Sequence, residues 1–335
     1  SIVDWSDFAG SGWKGGVSVV RLDYADKLSL LLDEPASLEI RAGEFALGRA
    51  CFSGSRDSKL CAESSWRAPG DFELSAELGR IPLELLDLYF DSELEFTQIL
   101  SGNIDYSSTQ SGSARGGARI DISPGVIRLE DEDELALRTG TGLFGFKLDN
   151  GQLKQGDMDI TLPGSGNINI DFSVPELDKG GESAVTGRAL VDVEDIGVIG
   201  SIFPVFDSTS GVLDIDLSLS GTLEDPAFSG RATLAGGHLE HQASGLSFTD
   251  INLAGNVNER DRSELHGTFR AGEGSGQLTA LIEFGDILSP VVRLQLTGES
   301  LTAIDVPDLK VIADADVTLG WRDDMLNIDG RLAVP

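Results

Sequence analysis

Basic residues and histidine are scarce in this chain of 335 residues. It contains 25 lysines and arginines against 56 aspartates and glutamates, which gives a net charge of −31, and it has three histidines. Nucleic acid and anionic lipid surfaces are bound by basic patches, so this charge argues against both partners. Disorder is excluded as the cause of the charge, because 40% of the residues are hydrophobic and they are regularly spaced.

Long apolar runs are also absent. No stretch of about 18 apolar residues occurs, and the sequence predicts neither a transmembrane helix nor a signal peptide. The first residues resemble the interior of a domain, so we expect a fragment of a longer protein. Glycine is abundant, with 41 residues against 11 prolines, which is typical of a chain with many tight turns.

Alternation of apolar and polar residues is the dominant pattern. A period of two predicts strands with one apolar face and one polar face. The connections are rich in turn formers and too short for helical crossovers, so we expect about twenty strands in antiparallel succession. The alternation is clearest over residues 27–32, 71–78, 167–174, 213–220 and 277–284.

Two short segments have helical character. They are residues 81–88, which are rich in leucine, and residues 195–206, for which Asp195 is the candidate N-cap. Each is followed by a glycine, Gly102 or Gly211, and then by an alternating strand. This recurrence predicts an internal repeat. The predicted segments are 1–80, 81–194 and 195–335, of which the last two each open with a short helix.

The two cysteines, Cys51 and Cys61, flank a polar, turn-like segment. Two antiparallel strands joined by this turn would bring the thiols within bonding distance. We predict a disulfide, which would imply an oxidising compartment. The alternative is a pair of buried free thiols.

A sheet with one apolar face has to bury that face against something. A sandwich uses a second sheet, a barrel closes and a β-helix coils, whereas an open, curved sheet can fold its apolar face into a groove for an apolar ligand. At about 4.8 Å per strand, twenty stacked strands would extend on the order of 90 Å. The expected fold class is all-β, an elongated, curled antiparallel sheet with a hydrophobic interior and a few short helices.

Several motifs in the last third of the chain occur in a recognisable order. A strand ends in Ser-Gly-Thr-Leu at 220–223, an acidic-Pro turn follows, and Ser-Gly-Arg-Ala-Thr-Leu at 229–234 leads into a glycine-rich turn. Val-Pro-Asp-Leu-Lys-Val at 306–311 and the closing Gly-Arg-Leu-Ala-Val-Pro come later. This order resembles the TamB branch of the AsmA-like, repeating β-groove proteins. The resemblance is clearest over residues 195–335, where the last two motifs are similar to the family's C-terminal region, and over 1–194 it depends on the repeat and the cysteine pair. It implies a fragment from the C-terminal half of the full-length protein.

The resemblance implies a β-taco fold, a trough with a hydrophobic interior. TamB-like proteins are anchored in the inner membrane by an N-terminal helix and cross the periplasm. They are linked to phospholipid movement between the membranes, as bridge-like lipid transfer proteins, and to outer-membrane protein assembly with a TamA-like barrel. We expect this sequence to lack the anchor helix and to stop at Pro335, before the end of the family's C-terminal region. Contact with the barrel is therefore expected of the full-length protein rather than of this fragment, whereas the trough is expected to be intact.

The candidate lipid-binding residues lie on the alternating apolar face. Alternation alone would fit an ordinary sandwich core, and it is the repeat and the resemblance that favour a lipid-lined groove. A continuous wall would also let an acyl chain slide with little change in free energy. The residues expected in the groove interior are Ile104, Tyr106, Ile168, Ile170, Phe172, Leu213, Ile215, Leu217, Leu219, Leu234, Phe248, Leu253, Leu278, Ile282, Phe284, Leu294, Leu296, Leu319 and Ile328.

Motifs that suggest other chemistry have simpler explanations. His238 and His241 would face opposite sides of a strand, which disfavours a shared metal ion. The acidic run 130–134 lacks the glycine and the ligand spacing of a calcium loop. The glycine-rich segment 272–276 lacks the lysine and the helix of a phosphate-binding loop and fits a hairpin. We find no Ser/His/Asp arrangement, and we expect no enzyme, no cofactor and no metal.

Two other functions compete with lipid transport. A structural β-solenoid or adhesin stalk would have a solid core and rungs of equal length, whereas the strands here are uneven. A glycan-binding or hydrolytic β-protein would need clustered tryptophans or a carboxylate pair. The four tryptophans are scattered through the chain.

Overall fold

The fold consists almost entirely of β-strands. The structure is a computed structural model that describes residues 2–9, 12–24, 28–88, 94–129, 136–164, 166–197, 207–258, 263–283, 291–322 and 325–334. Its strands are β1 Ile2–Ala9, β2 Gly12–Val19, β3 Arg21–Tyr24, β4 Leu28–Leu32, β5 Ala36–Arg41, β6 Glu44–Gly54, β7 Lys59–Arg67, β8 Asp71–Pro82, β9 Leu94–Phe96, β10 Ile99–Ser108, β11 Ala114–Ile122, β12 Gly125–Leu129, β13 Ala136–Thr139, β14 Gly142–Asp149, β15 Gln152–Leu162, β16 Gly166–Val174, β17 Thr186–Val193, β18 Ser208–Gly221, β19 Pro226–His241, β20 Leu246–Asn258, β21 Ser263–Ala271, β22 Gly274–Glu283, β23 Val291–Val306, β24 Leu309–Arg322 and β25 Met325–Ala333.

Short 3-10 helices in the described part of the chain, among them Ser55–Asp57, Leu83–Leu88 and Leu177–Glu182, interrupt the strands. The second lies within the predicted helical segment 81–88, although Pro82 ends β8 instead of opening the helix. Most of the other predicted helical segment, from residue 198 to 206, lies outside the described residues. At its start, the Gly197 backbone N–H donates to Asp195 Oδ1 at 2.9 Å, as expected of a capping carboxylate.

Nearly all strands belong to one large antiparallel sheet, which is not closed into a barrel within the described residues. The predicted all-β class and antiparallel succession are therefore confirmed. The strands β9, β12 and β13 form a separate, small sheet. Most neighbours in the large sheet are also neighbours in sequence, but β2 pairs with β5 because β3 and β4 form their own hairpin between them.

The chain divides into two compact units. The first unit comprises Ser1–Glu130, Thr139–Ile160 and Asp171–Ala184, and the second comprises Asp131–Arg138, Thr161–Ile170 and Val185–Pro335. The first unit extends across the predicted boundary at residues 80/81, and the second extends across the one at 194/195. The three predicted segments therefore do not correspond to these units and stay a prediction.

The two cysteines are bonded, as predicted. Cys51 of β6 lies directly opposite Cys61 of β7 in the antiparallel ladder, with 4.0 Å between their Cα atoms. The turn between them is the 3-10 helix Ser55–Asp57. Ser58, which is almost completely buried, donates from its hydroxyl to the Arg80 carbonyl and so ties this hairpin to β8.

Gly102 and Gly211, the two glycines of the predicted repeat, occupy similar positions in their strands. Each lies near the start of a strand, β10 or β18, at an irregularity in the pairing with a neighbouring strand. A Cβ at residue 102 would lie 2.1 Å from the Arg119 carbonyl oxygen, and Gly211 has a φ of +139°. Residue 102 therefore requires glycine because the neighbouring backbone is too close for a side chain, and residue 211 requires it because of its positive φ.

A well-buried core of the second unit lies beside the β21–β22 hairpin. Ala271 is fully buried, and Phe269 and Leu301 are 2% and 5% exposed. The Asp305 backbone N–H of β23 donates to the Ser244 carbonyl in the β19–β20 turn at 2.9 Å. The long strands around the short hairpin thus meet beyond its tip and enclose the apolar side chains there.

Breaking the disulfide is expected to lower the free energy of unfolding by about 2–3 kcal/mol, because the bridge constrains a short loop of the unfolded chain. Urea denaturation with and without reductant measures the effect, and the Cys51→Ala/Cys61→Ala variant is the control that reductant should leave unchanged. Alkylation of both thiols in the unreduced protein would show that the bridge is absent.

Leu301→Ala is expected to cost about 2–5 kcal/mol of unfolding free energy, since it opens a cavity in the core beside the β21–β22 hairpin. Leu309→Ala is the matched control, because Leu309 is 51% exposed and begins the next strand. Its effect should stay within about 0.5 kcal/mol. Equal effects in urea denaturation would contradict the placement of this core.

Candidate functional site

The apolar residues of the second unit form a continuous surface, here called the apolar wall. Its residues face one another directly from strand to strand in transverse rows. In the central row, Ile215 lies opposite Ala232. Further along the same row, Leu294 lies between Ala280 and Leu319. The next row of the apolar wall contains Val193, Leu213, Leu234, Leu253, Gly267, Leu278, Leu296 and Val317.

Most residues of the apolar wall are half-buried. Leu265 and Ala280, each 6% exposed, are enclosed by their neighbours, and Leu217 and Ile282 pack against their cluster. A second sheet packed on this face would remove such side chains from solvent. The candidate residues of the wall that keep partial exposure are Leu213, Ile215, Leu217, Leu219, Leu234, Phe248, Leu253, Ile282, Leu294, Leu296 and Leu319.

Glycines within the rows of the apolar wall allow the backbones of neighbouring strands to approach closely. Gly267 lies between Leu253 and Leu278, and a Cβ there would sit 1.9 Å from the Asn252 carbonyl oxygen. At Gly255 the corresponding distance, to the Glu264 carbonyl oxygen, would be 2.3 Å. The strands therefore approach one another more closely at these points than any residue with a side chain permits.

One side of the apolar wall merges with the core beside the β21–β22 hairpin. Phe248 and Phe269 meet edge to face, with 5.5 Å between their ring centroids. Leu278, a candidate groove residue, is 9% exposed and belongs to this core. The sequence analysis did not single out Phe269, Leu301 or Ile251, which are more deeply buried. Alternation of apolar and polar residues could have identified them as members of the apolar face, but it does not indicate how deeply a side chain on that face is buried.

Candidate residues in the first unit lie on an apolar face of that unit. Ile104 faces Ala76 on one side and Ala118 on the other. Tyr106, one step along the same strand face, lies between Leu74 and Gly116, with its ring centroid 6.0 Å from that of Phe72. A Cβ at Gly156 would meet the ring of Phe172, so this candidate packs directly on the backbone of β15.

The remaining candidates lie in different surroundings. Ile168 packs against the buried cluster of Leu162, Val193 and Ile196, and Ile170 is half-buried on the same strand. Ile328 is 67% exposed on β25. Phe284 lies outside the described residues.

Open depressions occur among the charged side chains of the polar face in the described parts of both units. One, in the first unit, has a volume of about 450 Å³ and includes Lys14 and Glu39 in its lining. The other, in the second unit, has a volume of about 380 Å³ and is lined by Asp214, Asp216 and Arg231 among others. Charged linings of this kind do not suit an apolar ligand.

The sequence motifs with metal or phosphate potential have ordinary partners. His238 Nε2 lies 3.9 Å from a Glu240 carboxylate oxygen, and His241 Nδ1 lies 2.8 Å from the Ser244 hydroxyl. Within the described ranges, no group of three or more His, Cys, Asp or Glu residues is placed to hold a metal ion. The glycine-rich segment is the β21–β22 hairpin, as interpreted, and the acidic run 130–134 lies outside the described residues.

A bidentate ion pair on the polar face joins neighbouring strands. Arg188 donates from Nε and Nη2 to both oxygens of Asp216, at 2.8 and 2.6 Å. These hydrogen bonds hold the pKa of Asp216 below its ordinary value and raise that of Arg188. The pair therefore contributes stability above the ordinary carboxyl pKa, and this contribution is lost as the pH falls through the lowered value.

Arg188→Gln is expected to return the pKa of Asp216 towards its ordinary value, which an NMR titration of the side-chain carboxyl would measure. Arg231→Gln is the control, since Arg231 faces Asp216 from the other neighbouring strand. It should change the pKa less, because the hydrogen bonds from Arg188 are the main cause of the shift. An equal rise in both variants would contradict this assignment.

Comparison with known proteins identifies the family. The model of the TamB N-terminal domain matches residues 6–234, which is more than half of the chain. The match covers mainly the region where the sequence motifs are least distinctive, and it ends at Leu234. No solved structure matches the chain. None of the helices in the described part of the chain combines the length and apolar character needed to cross a membrane. The family match, on a sheet with one apolar face, shows that the chain belongs to the TamB family.

Proposed function

We propose that this chain carries phospholipid acyl chains along its apolar face, as a periplasmic segment of a bridge between the inner and outer membranes. The observation that supports the proposal is the half-buried state of the apolar wall. Its rows run from β17 to β24, and apart from the buried Leu265 and Leu278 its leucines and isoleucines are neither enclosed like a core nor isolated like surface residues. Such a surface is complementary to a flexible hydrocarbon chain.

The energetics favour binding that is spread over the wall. Each methylene transferred from water onto it contributes about 0.8 kcal/mol, so an acyl chain of ordinary length gains enough to leave water. The rows repeat the same chemistry at every strand, and a chain that shifts by one strand exchanges one set of aliphatic contacts for another. The free energy of binding then changes little along the path, which permits movement.

The proposed compartment and partners are those of the TamB family. TamB family membership supports a periplasmic location, a full-length protein anchored in the inner membrane, and a role in outer-membrane assembly with a TamA-like barrel. The Cys51–Cys61 disulfide fits an oxidising compartment. The proposed role is not catalytic and uses no cofactor, because burial of hydrocarbon supplies its driving force.

Leu217→Asp tests the proposal, since it places a charge on the apolar wall. In a wall that faces solvent or lipid, the carboxylate stays hydrated and the fold survives, whereas a solid core would lose several kcal/mol. We expect nearly unchanged thermal unfolding together with reduced phospholipid, measured by extraction and mass spectrometry of the purified protein. Ser220→Asp, on the exposed polar face of the same strand, is the matched control and should change neither quantity.

Two results would contradict the lipid-transport proposal. One is unfolding of the Leu217→Asp variant together with no phospholipid in the unaltered protein, which would favour a packed structural core. The other is an equal phospholipid content in both variants, which would place any lipid elsewhere than on the apolar wall.

A further inference from the structure

The β21–β22 hairpin differs from its neighbouring strands in the burial of its apolar face. Leu253 of β20 and Leu294 of β23, on either side of the hairpin, keep partial exposure. On the hairpin itself, every apolar side chain of this face between Leu265 and Ala280 is at most 9% exposed. These enclosed residues are Leu265, Phe269, Ala271, Leu278 and Ala280.

The cover comes from strands that are not neighbours in the sheet. The hairpin separates β20 from β23, since β20 pairs with β21 and β22 pairs with β23. The two outer strands nevertheless contact each other, and Ile251 of β20 and Leu301 of β23 belong to one buried cluster with Phe269. Leu253 and Leu294 likewise pack against a second cluster on the hairpin. The sheet therefore curls shut here, and we call the five enclosed residues, together with Ile251 and Leu301, the closed segment.

A contact between two turns holds the closed segment shut at the hairpin tip. The Asp305 backbone N–H, near the end of β23, donates to the Ser244 carbonyl in the β19–β20 turn at 2.9 Å. Gly245 has a φ of +64°, and a Cβ there would lie 1.8 Å from the Asp305 carbonyl oxygen. We call this contact, between Ser244–Gly245 and Asp305, the latch. It belongs to neither strand ladder, so the two turns can separate while β19 stays paired with β20 and β23 with β24.

Hydrocarbon that moves along the apolar wall has to pass the closed segment. The proposed path runs from β17 to β24, and the hairpin lies within it. Protein interiors are packed as densely as organic crystals, so enclosed side chains such as Phe269 and Ala271 leave no room for an acyl chain beside them. Continuous movement along the wall therefore requires the cover to part from the hairpin, and the latch joins the two halves of that cover.

We propose that the closed segment is a gate on the lipid path. The latch holds it shut, and an acyl chain passes when the β19–β20 and β23–β24 turns separate. This inference rests on the proposed lipid-carrying function and adds its regulation, because passage then depends on opening one defined contact.

Gly245→Ala tests the latch, because the added Cβ would collide with the Asp305 carbonyl oxygen and force the turns apart. Gly236→Ala is the matched control. Gly236 lies on β19 and also has a positive φ, +60°, but a Cβ there meets no atom within 4 Å. Both variants therefore carry similar backbone strain, and only Gly245→Ala disturbs the latch.

Photo-crosslinking reports which residues the hydrocarbon reaches. Each protein is loaded from phosphatidylcholine vesicles whose acyl chains carry a diazirine, then irradiated and digested, and the adducts are located by mass spectrometry. We expect the adducts of the unaltered protein mainly on strands beside the hairpin, such as β18. The share of adducts on residues 263–283 should rise several-fold in Gly245→Ala and stay unchanged in Gly236→Ala.

Hydrogen exchange of the unaltered protein is a second test that depends on no variant. Exchange is followed by mass spectrometry with and without loading from phosphatidylcholine vesicles. A gate predicts faster exchange of the Asp305 amide in the loaded protein, because passage of acyl chains separates the turns and exposes this N–H. A permanently closed core predicts the same exchange in both samples.

The outcomes separate this inference from the proposed function. Equal adduct shares on residues 263–283 in the two folded variants, or unchanged exchange at Asp305 when lipid is bound, overturn the gate and leave the lipid-carrying function standing. If Gly245→Ala does not fold, the exchange at Asp305 decides alone. Absence of both adducts and bound phosphatidylcholine from the unaltered protein overturns the proposed function itself and this inference with it.

Discussion

Strand register is the constraint on which the rest of this structure depends. Side chains alternate with a period of two, so a slip of one residue between neighbouring strands would exchange the apolar and polar faces from that strand onwards. Leu294 faces Ala280 on one side and Leu319 on the other, and the apolar wall depends on such pairings between the described strands from β17 to β24. Where the pairing between β19 and β20 shifts, at Leu234 and Gly237, the apolar set is recovered by Ile251, which lies opposite Gly237.

Sequence periodicity predicts the face of a residue but not its neighbours. Alternation was enough to assign strands, and the turn-like segment between Cys51 and Cys61 was enough to predict their bond. The pairing of β2 with β5 has no such signal, because a short hairpin between them is indistinguishable in sequence from two more strands of the succession. The row of large side chains at the ends of β2, β5, β6, β7 and β8 has no sequence signal for the same reason, since Trp13 and Phe72 become members of one row only through the register of the strands between them.

Depth of burial depends on strand length, which hydrophobicity does not report. Ala271 is fully buried although alanine is the least apolar member of its cluster, whereas Ile328 is exposed although it alternates correctly. The difference arises because β20 and β23 extend beyond the β21–β22 hairpin and meet through Asp305 and Ser244. The core and the half-buried wall thus lie on the same face and have similar residue compositions. A core forms where longer neighbouring strands extend beyond a short hairpin and cover its side chains, and elsewhere the side chains stay half-buried.

The acidity of the chain bears on how the apolar wall stays available. Carboxylates outnumber cations more than twofold, so pairs such as Arg188–Asp216 neutralise only a minority of them and the excess has to face solvent. Two polar faces of this kind repel each other, which opposes the stacking of copies through that side. Association through the apolar wall would bring the same charges together at its margins. In the proposed function, a neutral hydrocarbon chain would cover the wall without that electrostatic cost, so the charge on the polar face would favour lipid over protein as the occupant of the apolar face.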